Sequence, residues 1–213
     1  MSTFVLVHGA FRGGWSWDRV RPLLEAAGHE VRTPTLSETA TALDTWVDEV
    51  AAAVADDTIL VGHSQGGVVV REVALRDPQR VRHVVYVDAA VPDAGERAVD
   101  LGASPPVLPP RETVIAPRPV EPAGDLDADT AAWMNERLTS VPFAPSLDPA
   151  SDGEPTVPAT YVFCTGTPSA YPCGTTRSRL DERGIPYSWI ATGHDAPLTR
   201  PDAVAEHLLA ATR

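Results

Sequence analysis

Thr58-Ile59-Leu60-Val61-Gly62-His63-Ser64-Gln65-Gly66-Gly67 is the stretch on which the fold turns. Residues 58–61 are short, apolar and β-branched, which predicts a buried strand. The helical pattern over residues 66–76 follows at once. Between them Gly62-His63-Ser64-Gln65-Gly66 has the spacing G-x-S-x-G. At a strand-to-helix turn that spacing holds the serine in a strained conformation with its hydroxyl exposed. The flanking glycines are needed because side chains there would collide with the strand and the helix. Ser64 is therefore the candidate nucleophile, and the N-terminal dipole of the following helix points at a place where negative charge can develop.

The same alternation extends both ways. Upstream, residues 3–7 read as a buried strand that breaks into the glycine-rich run His8 to Gly14. Residues 15–27 read as a helix stopped by Gly28, residues 29–32 as a short strand, and residues 43–55 as an amphipathic helix. Downstream, residues 81–88 read as a strand. After Pro92 proline becomes frequent as far as Pro158, and only residues 129–138 carry a helical pattern. A structureless linker of that length is improbable in a compact domain, so residues 92–158 are expected to form an inserted lid. The pattern then resumes, with strands at 159–164 and 187–191 and helices at 175–183 and 201–211. Strands alternating with helices imply a mostly parallel sheet covered on both faces, an α/β fold, and the length of 213 residues suits a single domain, 1–213.

Composition removes several classes. The net charge is −12, from 29 acidic and 17 basic residues, and every basic residue is Arg. Nucleic-acid binding needs a basic face, and without Lys there is no Schiff-base chemistry. Cys164 and Cys173 are the two cysteines, with no metal-ligand spacing, so neither a disulfide framework nor a metal or other cofactor is expected. No apolar run approaches the roughly 20 residues of a membrane helix, and no signal-peptide pattern is present. The expectation is a cytoplasmic enzyme with a small-molecule substrate; the oligomeric state is not legible.

A serine hydroxyl needs a base, which in this topology follows late in the chain. Of six histidines, His8 and His63 lie in turn motifs, His29 and His83 at strand starts, and His207 in the last helix. His194 alone sits in a loop between the last strand and the last helix.

These residues resemble a known family. Phe4-Val5-Leu6-Val7-His8-Gly9-Ala10, Gly13-Gly14-Trp15-Ser16-Trp17 and Pro22-Leu23-Leu24-Glu25-Ala26-Ala27-Gly28-His29 are similar to the plant methyl esterases acting on methyl salicylate and methyl jasmonate, and to the related hydroxynitrile lyases. Ile59-Leu60-Val61-Gly62-His63-Ser64, Val91-Pro92-Asp93 and Gly193-His194-Asp195 extend the likeness, which fails across the lid. The resemblance implies the α/β-hydrolase fold and an oxyanion hole from the backbone N–H groups of Ala10 and Gln65. In the lyases Thr stands in place of Gly9 and Lys in place of Asp195, so cyanohydrin cleavage is not expected.

The acid departs from the family. The plant enzymes carry it in a Cys-Thr-x-Asp run, where this chain has Cys164-Thr165-Gly166-Thr167, and no Asp or Glu occurs in residues 155–180. Asp88, at the carboxyl end of the preceding buried strand, is the best replacement, since a carboxylate there is costly unless paired. A Ser–His dyad or another acid are the alternatives. The leading expectation is hydrolysis of a small or medium ester, methyl or aryl, through an acyl-enzyme on Ser64. Rival readings are a secondary-metabolite tailoring enzyme, such as a thioesterase, lactonase or cyclase, and a ligand-binding pseudoenzyme. Phe11, Trp15, Trp133, Met134 and Phe143 are the candidate substrate-binding residues.

Overall fold

The computed structural model describes residues 1–102 and 107–212. Its central sheet is built from β1 (Thr3–Val7), β2 (Glu30–Arg32), β3 (Thr58–His63), β4 (Val81–Val87), β7 (Ala159–Cys164) and β8 (Ser188–Ile190). The strand order is β2-β1-β3-β4-β7-β8 and every pairing is parallel. Side chains along a strand alternate between faces, and here both faces are dry. Val5, Val7, Leu60, Val84 and Tyr86 pack with α2 (Leu43–Ala51) and α3 (Gly66–Arg76) on one side. Phe4, Leu6, Ile59, Val61, Val85 and Val87 pack with Trp17, α1 (Arg21–Ala26) and α8 (Pro201–Ala210) on the other. This double burial is why the strands read as continuous apolar runs.

Several element boundaries differ from the sequence expectation. The helix predicted over 15–27 divides into a 3-10 turn at Gly14–Trp17 and α1, because Pro22, at the start of α1, cannot donate to a preceding turn. The helix predicted over 175–183 is α6 (Pro172–Arg183), which starts one turn earlier on Pro172 and ends on Gly184 with φ +63°. His194 is followed by a short α7 (Ala196–Thr199) before α8.

Strands β4 and β7 pair directly although 71 residues, 88–158, separate them. That excursion holds a two-stranded antiparallel pair, β5 (Val114–Ile115) with β6 (Val141–Pro142), and the helices α4 (Ala128–Asn135) and α5 (Ala144–Leu147). The α4 helix replaces the one expected over 129–138; Asp127 caps it by accepting the Thr130 N–H at 2.6 Å. The end of the excursion is fastened to α3 by Arg71, which is fully buried and bonds Glu72 Oε1 at 2.5 Å and the Gly153 carbonyl at 2.6 Å. Glu72 in turn accepts the Ser151 N–H at 3.1 Å. Removing one partner of a buried pair strands the other charge. Arg71→Ala is therefore expected to lower the unfolding free energy by about 3–5 kcal/mol, read by urea denaturation; a loss under 1 kcal/mol would contradict this account. No helix among the described residues is long and apolar enough to cross a membrane.

Candidate active site

In a parallel sheet with helices on both faces, ligands sit beyond the carboxyl ends of the strands, and there the chemistry-bearing loops converge. Ser64 follows β3 with φ +51°, a left-handed conformation that residues other than glycine rarely adopt. Its carbonyl accepts the N–H groups of Gly67 (3.1 Å) and Ala90 (3.0 Å), which fix the turn. A Cβ on Gly66 would lie 2.6 Å from the Val7 carbonyl oxygen. Only glycine lets α3 begin that close to β1.

The loop after β8 brings His194 back over this turn. Its Nε2 lies 2.9 Å from Ser64 Oγ, and its Nδ1 lies 2.6 Å from Asp88 Oδ2. A carboxylate can only accept, so Nδ1 carries the proton and Nε2 accepts from the serine hydroxyl. Asp88 directly follows β4, has φ +46° and is 1% exposed. Its Oδ1 accepts the Cys164 N–H at 3.0 Å, and its Oδ2 accepts the Thr167 hydroxyl at 2.5 Å. Burial works against ionisation of Asp88, but the bonds from His194, Thr167 and Cys164 outweigh it and hold the carboxyl below its ordinary value. Thr167, at the position where the family pattern has its acid, thus supports an acid supplied by the neighbouring strand. The sequence marked its position only as the place of a missing acid, not its hydroxyl as a donor to Asp88.

Two further histidines frame the site. The His8 Nδ1–H donates to the Gly9 carbonyl at 2.8 Å, and its Nε2 accepts the Leu36 N–H at 3.0 Å. The Gly9 carbonyl shares a peptide plane with the Ala10 N–H, so His8 fixes the direction of that donor. Ala10 and Gln65 both border the cavity beside Ser64. His63 Nε2–H donates to the His194 carbonyl at 2.8 Å. Burial lowers both imidazoles from the ordinary 6.5 to about 4.

Between pH 6.5 and 4 an unfolded chain would protonate both rings while the folded one does not. The unfolded state therefore binds more protons, and stability falls as pH drops through that window. Urea titrations at pH 7, 6 and 5 measure this, and an unchanged midpoint would contradict it.

Ser64 and His194 open onto a cavity of about 560 Å³ whose wall includes Phe11, Val68, Ile115, Phe143, Tyr171 and Cys173. Phe11 and Phe143 were expected there. Trp15, Trp133 and Met134 were too, and they do not line it. Met134 is fully buried. Trp15 and Trp133 pack edge to face at 5.2 Å, with Arg137 over the Trp133 ring at 4.4 Å, so α4 spends its large side chains on fastening the excursion to the loop after β1. Tyr171, whose ring stands edge-on to the His194 imidazole at 5.0 Å, was missed. It lies in a proline- and serine-containing loop with no periodicity to mark it.

Among the described residues, the ligand atoms of Asp88, Cys173 and His194 lie within 4.8 Å of one another. A metal ion there would have to displace the proton between His194 and Asp88. Both cysteines are free and buried; burial, with Asp88 nearby, raises the thiols of Cys164 and Cys173, the latter to about 12.

The sequence model described as the alpha/beta hydrolase family matches residues 4–207. A carbendazim hydrolyzing esterase from Nocardioides sp. (strain SG-4G) is 31% identical, with 99% of each chain covered. Salicylic acid-binding protein 2 of Nicotiana tabacum is 40% identical over 105 residues, which are 43% of this chain and 40% of that protein. Among solved structures, a mutant of polyneuridine aldehyde esterase superposes with a TM-score of 0.81 at 20% identity, covering 100% of this chain and 99% of its own. The family model matched over residues 4–207 and the 31% identical relative covered over 99% of its length make the chain a member of the alpha/beta hydrolase family.

Proposed function

We propose that the chain is a carboxylic ester hydrolase in which Ser64 is the nucleophile, His194 the general base and acid, and Asp88 the residue that orients the imidazole. The single observation that carries this reading is the unbroken run of hydrogen bonds from Ser64 Oγ through His194 to Asp88, at 2.9 and 2.6 Å, opening on an apolar cavity. Ser64 Oγ attacks the carbonyl carbon of the ester as its proton passes to His194 Nε2. The tetrahedral oxyanion takes hydrogen bonds from the Ala10 and Gln65 N–H groups, each worth about 3–4 kcal/mol in such sites. On collapse His194 returns the proton to the departing alcohol. Water then repeats the sequence on the acyl-enzyme and frees Ser64. Asp88 keeps its negative charge throughout and stabilises the imidazolium.

The described residues of the 92–158 insertion act as the lid of this cavity, contributing Ile115, Val141 and Phe143 to its wall. The lining is apolar and partly aromatic, and the one guanidinium among its described residues, Arg12, is already paired with Asp195. An uncharged methyl or aryl ester with an apolar or aromatic acyl group fits it best. Relatives named for esterase activity, including a methylesterase, support the same class.

The test is a panel of short-chain, aryl and methyl esters, run beside thioesters and lactones, with acid and alcohol quantified separately. Equimolar release, fastest for uncharged apolar or aromatic acyl groups, is the expected result. A folded protein inert on the whole panel, or one that consumes thioesters or lactones alone, would overturn the assignment in favour of a tailoring enzyme.

A further inference from the structure

We propose that Arg12 and Asp195 form a positioning pair that fixes the oxyanion loop and the histidine loop against each other; this rests on the roles given above to Ser64 and His194. Arg12 lies two residues beyond Ala10, and Asp195 directly follows His194. Arg12 Nε and Nη2 reach Asp195 Oδ1 at 3.2 and 3.1 Å, and Nη2 also reaches Oδ2 at 3.2 Å. The two side chains are 12% and 17% exposed, so the pair is shielded from water and stronger than a surface ion pair.

The neighbourhood shows why such a clamp is needed. A Cβ on Gly9 would lie 2.8 Å from Ser64 Cβ, and Phe11 has φ +63°. The loop thus runs hard against the nucleophile in a conformation that its own residues do not favour. Outside support comes from the lid, where the Thr139 N–H donates to the Phe11 carbonyl and the Thr139 hydroxyl to the Arg12 carbonyl, each at 3.2 Å. The histidine loop is held by His63 through the His194 carbonyl, and by Asp125, which accepts the Gly193 N–H at 3.2 Å and the Thr192 hydroxyl. Each loop is thus tied to the lid, the histidine loop also to His63, and the Arg12–Asp195 fork ties them to one another across the cleft where the oxyanion and the imidazolium must form together.

Asp195 also occupies the N-cap position of α7, where an aspartate usually caps through its side chain. Here the side chain makes no capping bond and is turned to Arg12 instead. Helix stability alone does not explain that choice. A planar guanidinium gripping a carboxylate fixes direction as well as distance, which a lysine ammonium would not.

The experiment measures kcat and KM on the best ester of the panel, phosphonylation rate with a fluorophosphonate, and Tm, for Arg12→Gln, Arg12→Lys, Asp195→Asn and the Arg12→Gln/Asp195→Asn double variant. Displacement of reacting groups by about 1 Å costs up to about 100-fold. The expected result is a 10- to 100-fold fall in kcat and in phosphonylation for Arg12→Gln, with KM within about threefold, a smaller fall for Arg12→Lys, and a double variant no worse than its worse single parent. Unchanged kcat, a rise in KM alone, or additive losses in the double variant would overturn the pair. If Arg12→Gln does not fold, Arg12→Lys and Asp195→Asn give the same kcat-against-KM readout. Ser64→Ala, run alongside, separates the two claims: its activity survives only if the nucleophile assignment is wrong, whatever Arg12 does.

Discussion

Ser64→Ala is expected to reduce ester turnover by about 10⁵- to 10⁶-fold while leaving the unfolding midpoint close to that of the parent chain. The size follows from the unity of the apparatus. Without Oγ there is no atom for His194 Nε2 to activate at 2.9 Å, and His194 and Asp88 have no other work to do. Removing the nucleophile of a serine triad costs about as much as removing all three members. What survives is binding and oxyanion stabilisation of a direct attack by water. The fold is expected to persist because the hydrogen bonds of the turn run through the Ser64 backbone and not through its hydroxyl. Alanine does share the left-handed strain at φ +51°. Steady-state rates at enzyme concentrations high enough to see the residue, together with a thermal melt, check both parts.

Asp88→Asn is expected to lower kcat by up to about 10⁴-fold with little change in KM. Asp88 already accepts from the Cys164 N–H at 3.0 Å and from Thr167. With an amide in its place, the carbonyl oxygen keeps the Cys164 N–H at the Oδ1 position, and the NH₂ group takes the Oδ2 position, where it faces His194 and the Thr167 hydroxyl, which turns to accept. An NH₂ group obliges Nδ1 to accept, which puts the imidazole proton on Nε2, where it blocks uptake of the serine proton. A second consequence concerns pH. Because its donors outweigh burial, Asp88 stays ionised below the ordinary carboxylate range. Its contribution to stability is present above that range and is lost only as pH falls through its lowered folded value. Asp88 therefore does not limit activity on the acid side. Rates of Asp88→Asn within threefold of the parent would leave a Ser–His dyad or another acid.

Much of this site was legible in the sequence because it depends on short-range backbone requirements. The turn at Ser64 needs glycines at fixed offsets, and the doubly buried strands need β-branched runs, so both leave local marks. His194 emerged by elimination, and Asp88 from the absence of any carboxylate over residues 155–180. The lid was different. Its strands β5 and β6 are two residues each, too short to show a period of two. Met134 is fully buried and the half-buried Trp133 packs on Trp15, but a helical pattern cannot tell a face turned to the body of the protein from one turned to the substrate. The roles of Thr167 and Tyr171 were invisible for a related reason: each residue owes its place to the path of a loop, set by contacts with residues far away in the chain.

The most direct test is to label the folded protein with a fluorophosphonate and locate the adduct by intact and peptide mass. A single adduct on Ser64, lost in Ser64→Ala and strongly slowed in His194→Ala, is the predicted result. An adduct on another residue, or none on protein that hydrolyses esters, would contradict the account.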